Sequence, residues 1–155
     1  MKKENFVRVR EICGGWGIYE TSTAQKQMLY AISEAGELAK SLAKDDREQA
    51  RDDIGDVLVC LINAYHIGKY GNELEDQADF EDLGIGSVSA FGELIEDFGY
   101  RIRTGSHVSA QSCDYLATIA SNLMLSLDEC LEQAISELEK RKGKMVNGVF
   151  VKESL

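Results

Sequence analysis

The 155-residue sequence has no proline, one tryptophan, two histidines and four cysteines, and each scarcity removes a class of explanation. Without proline, no helix is forced to break by a missing backbone donor, so glycine and polar caps must punctuate the chain. Cys13, Cys60, Cys113 and Cys130 lie far apart and mostly in apolar segments, unlike the tight spacings of zinc sites and secreted disulfide frameworks. They read as reduced core thiols, and the expected compartment is the cytoplasm. Long apolar runs are missing too. No segment reaches the roughly 18 to 20 apolar residues that span a bilayer, and Met1-Lys2-Lys3-Glu4-Asn5 does not open a signal peptide.

Basic side chains are outnumbered, 17 against 27 acidic, for a formal net charge of -10. That excess opposes binding to a nucleic-acid polymer or an anionic membrane surface. A chain of this charge that handles phosphate needs cations to do so.

What is present is enough apolar content, 44%, to build a core in one domain spanning 1–155. Within it, 1–22 reads as an N-terminal segment and 144–155 as an irregular C-terminal tail with a turn at Asn147-Gly148. Between them the pattern is helical. Met28, Ile32, Ala35, Leu38 and Leu42 recur three or four apart from about Thr23 to Lys44, with Ser22 and Gln25 resembling a capping box. A second helix from about Asp46 carries Ile54, Val57, Leu58, Leu61 and Tyr65 before Gly68 and Gly71 end it. Further stripes run from about Ser87 to Arg103 and from about Ser109 to Leu127. Ser126 and Glu129 form a capping-box pattern before a last helix that stops at Gly143. The expected fold is all-α, a bundle of four to five helices. Gly36-Glu37-Leu38 with Asp56 is echoed by Gly92-Glu93-Leu94 with Asp114, which raises a degenerate repeat of two helical hairpins.

Glu34 and Glu37 are three apart on the first of these helices, and Asp53 and Asp56 repeat that spacing on the second. A tight turn between the helices allows the two pairs to meet across the hairpin. Carboxylates three apart are most often a solvated face. Here, however, Asp56 runs directly into Val57-Leu58-Val59-Cys60-Leu61-Ile62, which is apolar around nearly the whole helix. Clustered carboxylates beside such a segment need neutralising, and a hard oxygen-loving cation suits them. Mg2+ is the expected ion, with Mn2+ as an alternative. No histidine or cysteine arrangement suits zinc, and His66 and His107 do not complete the Glu-x-x-His motif of di-iron bundles.

The segment Gln27-Met-Leu-Tyr-Ala-Ile-Ser-Glu34-Ala-Gly-Glu37-Leu, followed by Asp52-Asp53-Ile-Gly-Asp56-Val-Leu, resembles the MazG-like branch of the all-α nucleoside triphosphate pyrophosphohydrolases. That family shows Glu-x-x-Glu, a spacer, then Glu-x-x-Asp. Here Asp53 stands where glutamate is usual and Ser33 where a second glutamate is common, so the ligand set is open to change. The resemblance implies Mg-dependent hydrolysis of a nucleoside triphosphate to monophosphate and pyrophosphate. It assigns Glu34, Glu37, Asp53 and Asp56 as metal ligands and catalytic groups.

By resemblance and helix phase, Lys40, Lys140, Arg141 and Lys144 are candidates to meet the phosphates. Asn63, two turns past Asp56, and Gln27, seven before Glu34, are candidates for further substrate contacts. Trp16, in Cys13-Gly14-Gly15-Trp16-Gly17, is a candidate to stack on the base, with Tyr19 behind it. Deoxyuridine triphosphatase or phosphoribosyl-ATP pyrophosphohydrolase activity on the same fold is an alternative, as is a non-catalytic helical oligomerisation protein. The expected partners are a small-molecule nucleotide and a second copy of the chain. A homodimer or higher homo-oligomer is expected because the apolar residues around the second helix exceed what one short hairpin covers.

Overall fold

A computed structural model describes residues 1–68, 73–76, 79–106 and 110–153. Eight helical segments are found among them: α1 (Lys3–Gly15), α2 (Ile18–Thr21), α3 (Ala24–Ala43), α4 (Arg47–Ile67), α5 (Glu73–Asp76), α6 (Ser87–Thr104), α7 (Gln111–Asn122) and α8 (Leu127–Lys140). A hairpin of β1 (Gly143–Val146) and β2 (Val149–Lys152) follows. The fold is mostly helical, as expected, but the helix count exceeds four to five and the tail is not irregular. None of the described helices is long and apolar enough to cross a membrane. The expected stop at Gly71, the histidine His107 and the expected helix start at Ser109 lie outside the described residues.

Local chemistry sets the helix ends. Thr23 rather than Ser22 caps α3, its hydroxyl accepting from the Lys26 amide at 3.2 Å, so the capping box read at Ser22 and Gln25 does not form. Ser22 instead accepts from the Gln27 side chain at 2.9 Å. Asp46 caps α4 by accepting from the Gln49 amide at 3.1 Å. The box expected at Ser126 and Glu129 is complete: Glu129 accepts from the Ser126 amide at 2.7 Å, and Ser126 accepts from the Glu129 amide at 3.2 Å.

The tightest pairing is α3 against α4, joined by a turn in which Asp45 takes a left-handed φ of 54°. Leu38, Ile54, Leu58 and Leu61 are fully buried between these helices and their neighbours. Helix α8 lies across α4 at Gly55, and the fit is close. A Cβ built at Gly55 would stand 2.3 Å from the Cys130 carbonyl oxygen and 2.8 Å from the Ala134 Cβ. Helices α1 and α7 cover more of α4, and its apolar circumference, including Val59, Ile62 and Tyr65, is buried inside the chain. That helix therefore does not itself demand a second copy.

Helices α6 and α7 form a second packed pair, with α6 also against α3. Asp114, the counterpart of Asp56 in the sequence echo, accepts from the Glu81 amide at 2.9 Å and so holds a loop.

The segment 1–22 is structured. Phe6, Val9 and Cys13 line the buried face of α1, and ion pairs tie that helix to α8: Lys2 to Glu132 at 2.7 Å and Arg8 to Glu139 at 2.5 Å. The β-hairpin pairs Val146 with Val149 across Asn147 and Gly148, both left-handed at φ 51° and 79°. This is the backbone of a two-residue primed turn, for which Asn-Gly is the preferred sequence. The hairpin is docked by the Met145 amide donating to the Trp16 carbonyl at 2.8 Å.

Candidate active site

Helices α3 and α4 bring all four expected carboxylates into one electrostatic neighbourhood. Burial raises the Glu34 carboxyl above its usual value, and the charge of Asp53 and then of Glu37 adds to the effect. Asp56 is pushed up to about 6, by burial first and by the charge of Glu34 next, with Asp52 and Asp53 adding to it. Arg141, at the end of α8, works against both shifts and is the cation that answers this acidic group. The thiol of Cys60, one turn beyond Asp56, is also pushed up by burial and then by Glu34 and Asp56.

Asp53 is 4% exposed and firmly held. Ser41 on α3 donates to its Oδ2, and Gln49 donates to its Oδ1 at 2.9 Å. Glu37 differs from the other three. It is exposed and ion-paired with Lys40 at 2.7 Å. Asp52, one turn before Asp56, has a buried Oδ1 without a hydrogen-bond partner. The sequence reading passed over Asp52 as a ligand, and the only signal for it was the Asp52-Asp53 doublet.

The donor chemistry suits a hard divalent cation: carboxylate oxygens alone, mutually repelling, with an orphaned buried oxygen among them. Among the described residues, however, no three histidine, cysteine, aspartate or glutamate side chains stand close enough to hold a metal as they are. The carboxylates share a neighbourhood without being gathered around one point, since Glu37 is engaged by Lys40 and Asp53 by Ser41 and Gln49.

The other candidate residues are dispersed. Lys140 pairs with Glu137 at 2.8 Å, and Lys144 is exposed on β1 opposite Val151. Gln27 is buried with its amide on Ser22. Asn63 is buried too, accepting from the Tyr19 hydroxyl at 2.8 Å and donating to the Cys13 sulfur at 3.4 Å. Tyr19 packs its ring 4.2 Å from that of His66. Trp16 lies 4.7 Å from the Phe150 ring, against the hairpin.

The α3-α4 hairpin thus brings mutually repelling carboxylates into one neighbourhood, opposed by an arginine just past the end of a third helix. Residues 22–82, which contain this hairpin, match the MazG nucleotide pyrophosphohydrolase domain family. The chain is MazG-like over that segment, which is less than half its length. No curated protein and no solved structure matches it.

Proposed function

We propose that the protein hydrolyses a (deoxy)nucleoside triphosphate between its α and β phosphates, releasing the monophosphate and pyrophosphate. Mg2+ is the working ion in this reading, and Mn2+ an alternative. The observation that supports it best is the charge coupling of Glu34 with Asp53 and Asp56 across α3 and α4, inside the segment that matches a nucleotide pyrophosphohydrolase family.

Glu34, Glu37, Asp53 and Asp56 would hold the ion. When bound, it supplies charge neutralisation for the phosphates and acidifies an attacking water. Ser41 and Gln49 orient Asp53, so its oxygens are fixed before substrate arrives. A carboxylate of this set that the ion leaves free would accept the proton from the attacking water. Arg141 faces the same acidic group and is the first candidate to meet a phosphate oxygen. Lys40 and Lys140 each stand on a nearby helix, paired with a carboxylate that an anionic substrate would displace. Lys144 adds exposed charge from the hairpin.

The reading places the protein in the cytoplasm, clearing or balancing nucleotide pools as a homodimer. Exposed Val88 and Ile95 on α6 support the second copy.

The test is product analysis over a panel of ribo- and deoxynucleoside triphosphates, with light scattering for the dimer. Pyrophosphate is expected with Mg2+ and not with chelator, and alanine at Glu34 or Asp56 is expected to reduce the rate by about 100-fold or more. Release of orthophosphate alone, or activity that survives chelation, would overturn the reading. Hydrolysis confined to deoxyuridine triphosphate or to phosphoribosyl-ATP would move the substrate within the same chemistry.

A further inference from the structure

A groove of about 390 Å³ lies between α3 and the tip of the β-hairpin, lined by Lys26, Leu29, Tyr30, Ser33 and Gly148. Its volume falls in the range of small-ligand sites, roughly 300 to 1,000 Å³. We propose that this groove holds the nucleoside part of the substrate, with the Tyr30 ring as the platform for the base. The proposal rests on the pyrophosphohydrolase reading above and adds to it the place where the organic half of the nucleotide sits.

Helix phase connects the groove to the acidic group. Lys26, Tyr30, Ser33 and Glu37 follow one another at spacings of four, three and four residues on α3, so they share one side of that helix. At 1.5 Å per residue, Tyr30 stands about 6 Å along the axis from Glu34 and about 10 Å from Glu37. That matches the reach from a substrate's reacting phosphates across the sugar to the base. A triphosphate lying along this side would put its charged end at the carboxylates and its base at Tyr30.

The lining has the right chemistry for such a ligand. Tyr30 is 49% exposed and Leu29 57% exposed, leaving an aromatic face and an aliphatic side chain in water. A nucleobase would cover both, because every base has a stacking face. Lys26 and Ser33 offer polar donors at the rim. Gly148 leaves the other wall low, since a Cβ built there meets nothing within 4 Å. Its φ of 79° also disfavours any residue that would raise the wall. The hairpin that carries Gly148 is pinned by Met145 to the Trp16 carbonyl, so the wall has a fixed seat. Trp16 itself packs on Phe150 and belongs to that seat.

Calorimetric titration of the full chain in Mg2+ with the four nucleoside 5'-monophosphates, and with ribose 5-phosphate as the base-free probe, tests this. We expect wild type to bind at least one monophosphate about tenfold or more tighter than ribose 5-phosphate. Y30A should lose that margin, Y30F should keep it, and ribose 5-phosphate should bind all three proteins alike. Y30A binding monophosphates as well as wild type does would overturn the proposal. So would a wild type that binds none. A third contrary result is Y30A dissociating an oligomer while nucleotide affinity stays the same, which would make the groove a seat for a second copy.

Pyrophosphate release measured in parallel keeps the two readings apart. Tyr30-dependent nucleotide binding without hydrolysis would sustain the groove and remove the catalytic reading. Hydrolysis with an unchanged KM in Y30A would do the reverse.

Discussion

The hydroxyl of Ser41 on α3 donates to the Oδ2 of Asp53 on α4, tying the two helices together at a buried carboxylate. Replacing Ser41 with alanine leaves that oxygen without a protein donor. The expected cost is about 1 to 3 kcal/mol of stability, read as an earlier midpoint in urea unfolding. An unchanged midpoint would mean that Gln49 alone satisfies Asp53.

Gly55→Ala is expected to be more damaging than its location in a helix implies. Alanine favours helix over glycine by up to about 1 kcal/mol, yet here its Cβ would meet the Cys130 carbonyl oxygen at 2.3 Å. Backbone cannot swing aside as a side chain can, so α4 and α8 must separate at a net loss of about 1 to 3 kcal/mol. Thermal melting gives the sign directly, and a higher Tm in the variant would contradict the contact.

The raised carboxyl of Asp56 makes stability depend on pH in a definite direction. With a folded value of about 6 against a reference of 3.8, the native state holds more protons than the unfolded state between the two. Its contribution is therefore most favourable in acid and is lost as pH rises from about 4 to about 6, by about 1 to 3 kcal/mol. Asp56→Asn should flatten that part of the metal-free stability profile. If wild type and variant follow parallel curves across the window, Asp56 is not the group responsible.

Asn63 and Lys40, both candidates for substrate contacts, should behave differently when replaced. Asn63 is buried between Tyr19 and Cys13, so Asn63→Ala should cost about 1 to 3 kcal/mol by stranding the Tyr19 hydroxyl. Lys40 forms an exposed ion pair with Glu37, and Lys40→Ala should change stability by less than about 1 kcal/mol. Chemical denaturation of the two variants side by side distinguishes them, and equal losses would count against this assignment.

Much of this arrangement was legible from spacing. The stripe from about Ser87 to Arg103 is α6, and the Ser126 and Glu129 box starts α8, because both signals are local and strong. Helix α1 was read only as a segment. Phe6, Val9 and Cys13 do carry the helical period, but three positions among many charges make a weak stripe. The Asn147-Gly148 turn was legible, but the strands on either side of it were not, for a different reason. The four-residue strands gain their stability from pairing and from the Trp16 corner, which no local pattern records.

At the candidate site, the burial of Asp56 was legible because an acid leading into a wholly apolar run is drawn out of water. Ser41, Asp52 and Tyr30 were not. What each one does depends on which helix or hairpin lies opposite, and helix spacing alone leaves that undetermined.

The close seat of α8 on Gly55 has a consequence for how the molecule comes into being. Because α8 and Arg141 are made well after α3 and α4, a growing chain carries its acidic hairpin for many residues before the opposing helix and its guanidinium exist. Until then Glu34 and Asp56 lack the Arg141 charge that opposes their mutual repulsion. The charge that opposes this acidic pair therefore joins the fold only once α8 has been made and has docked.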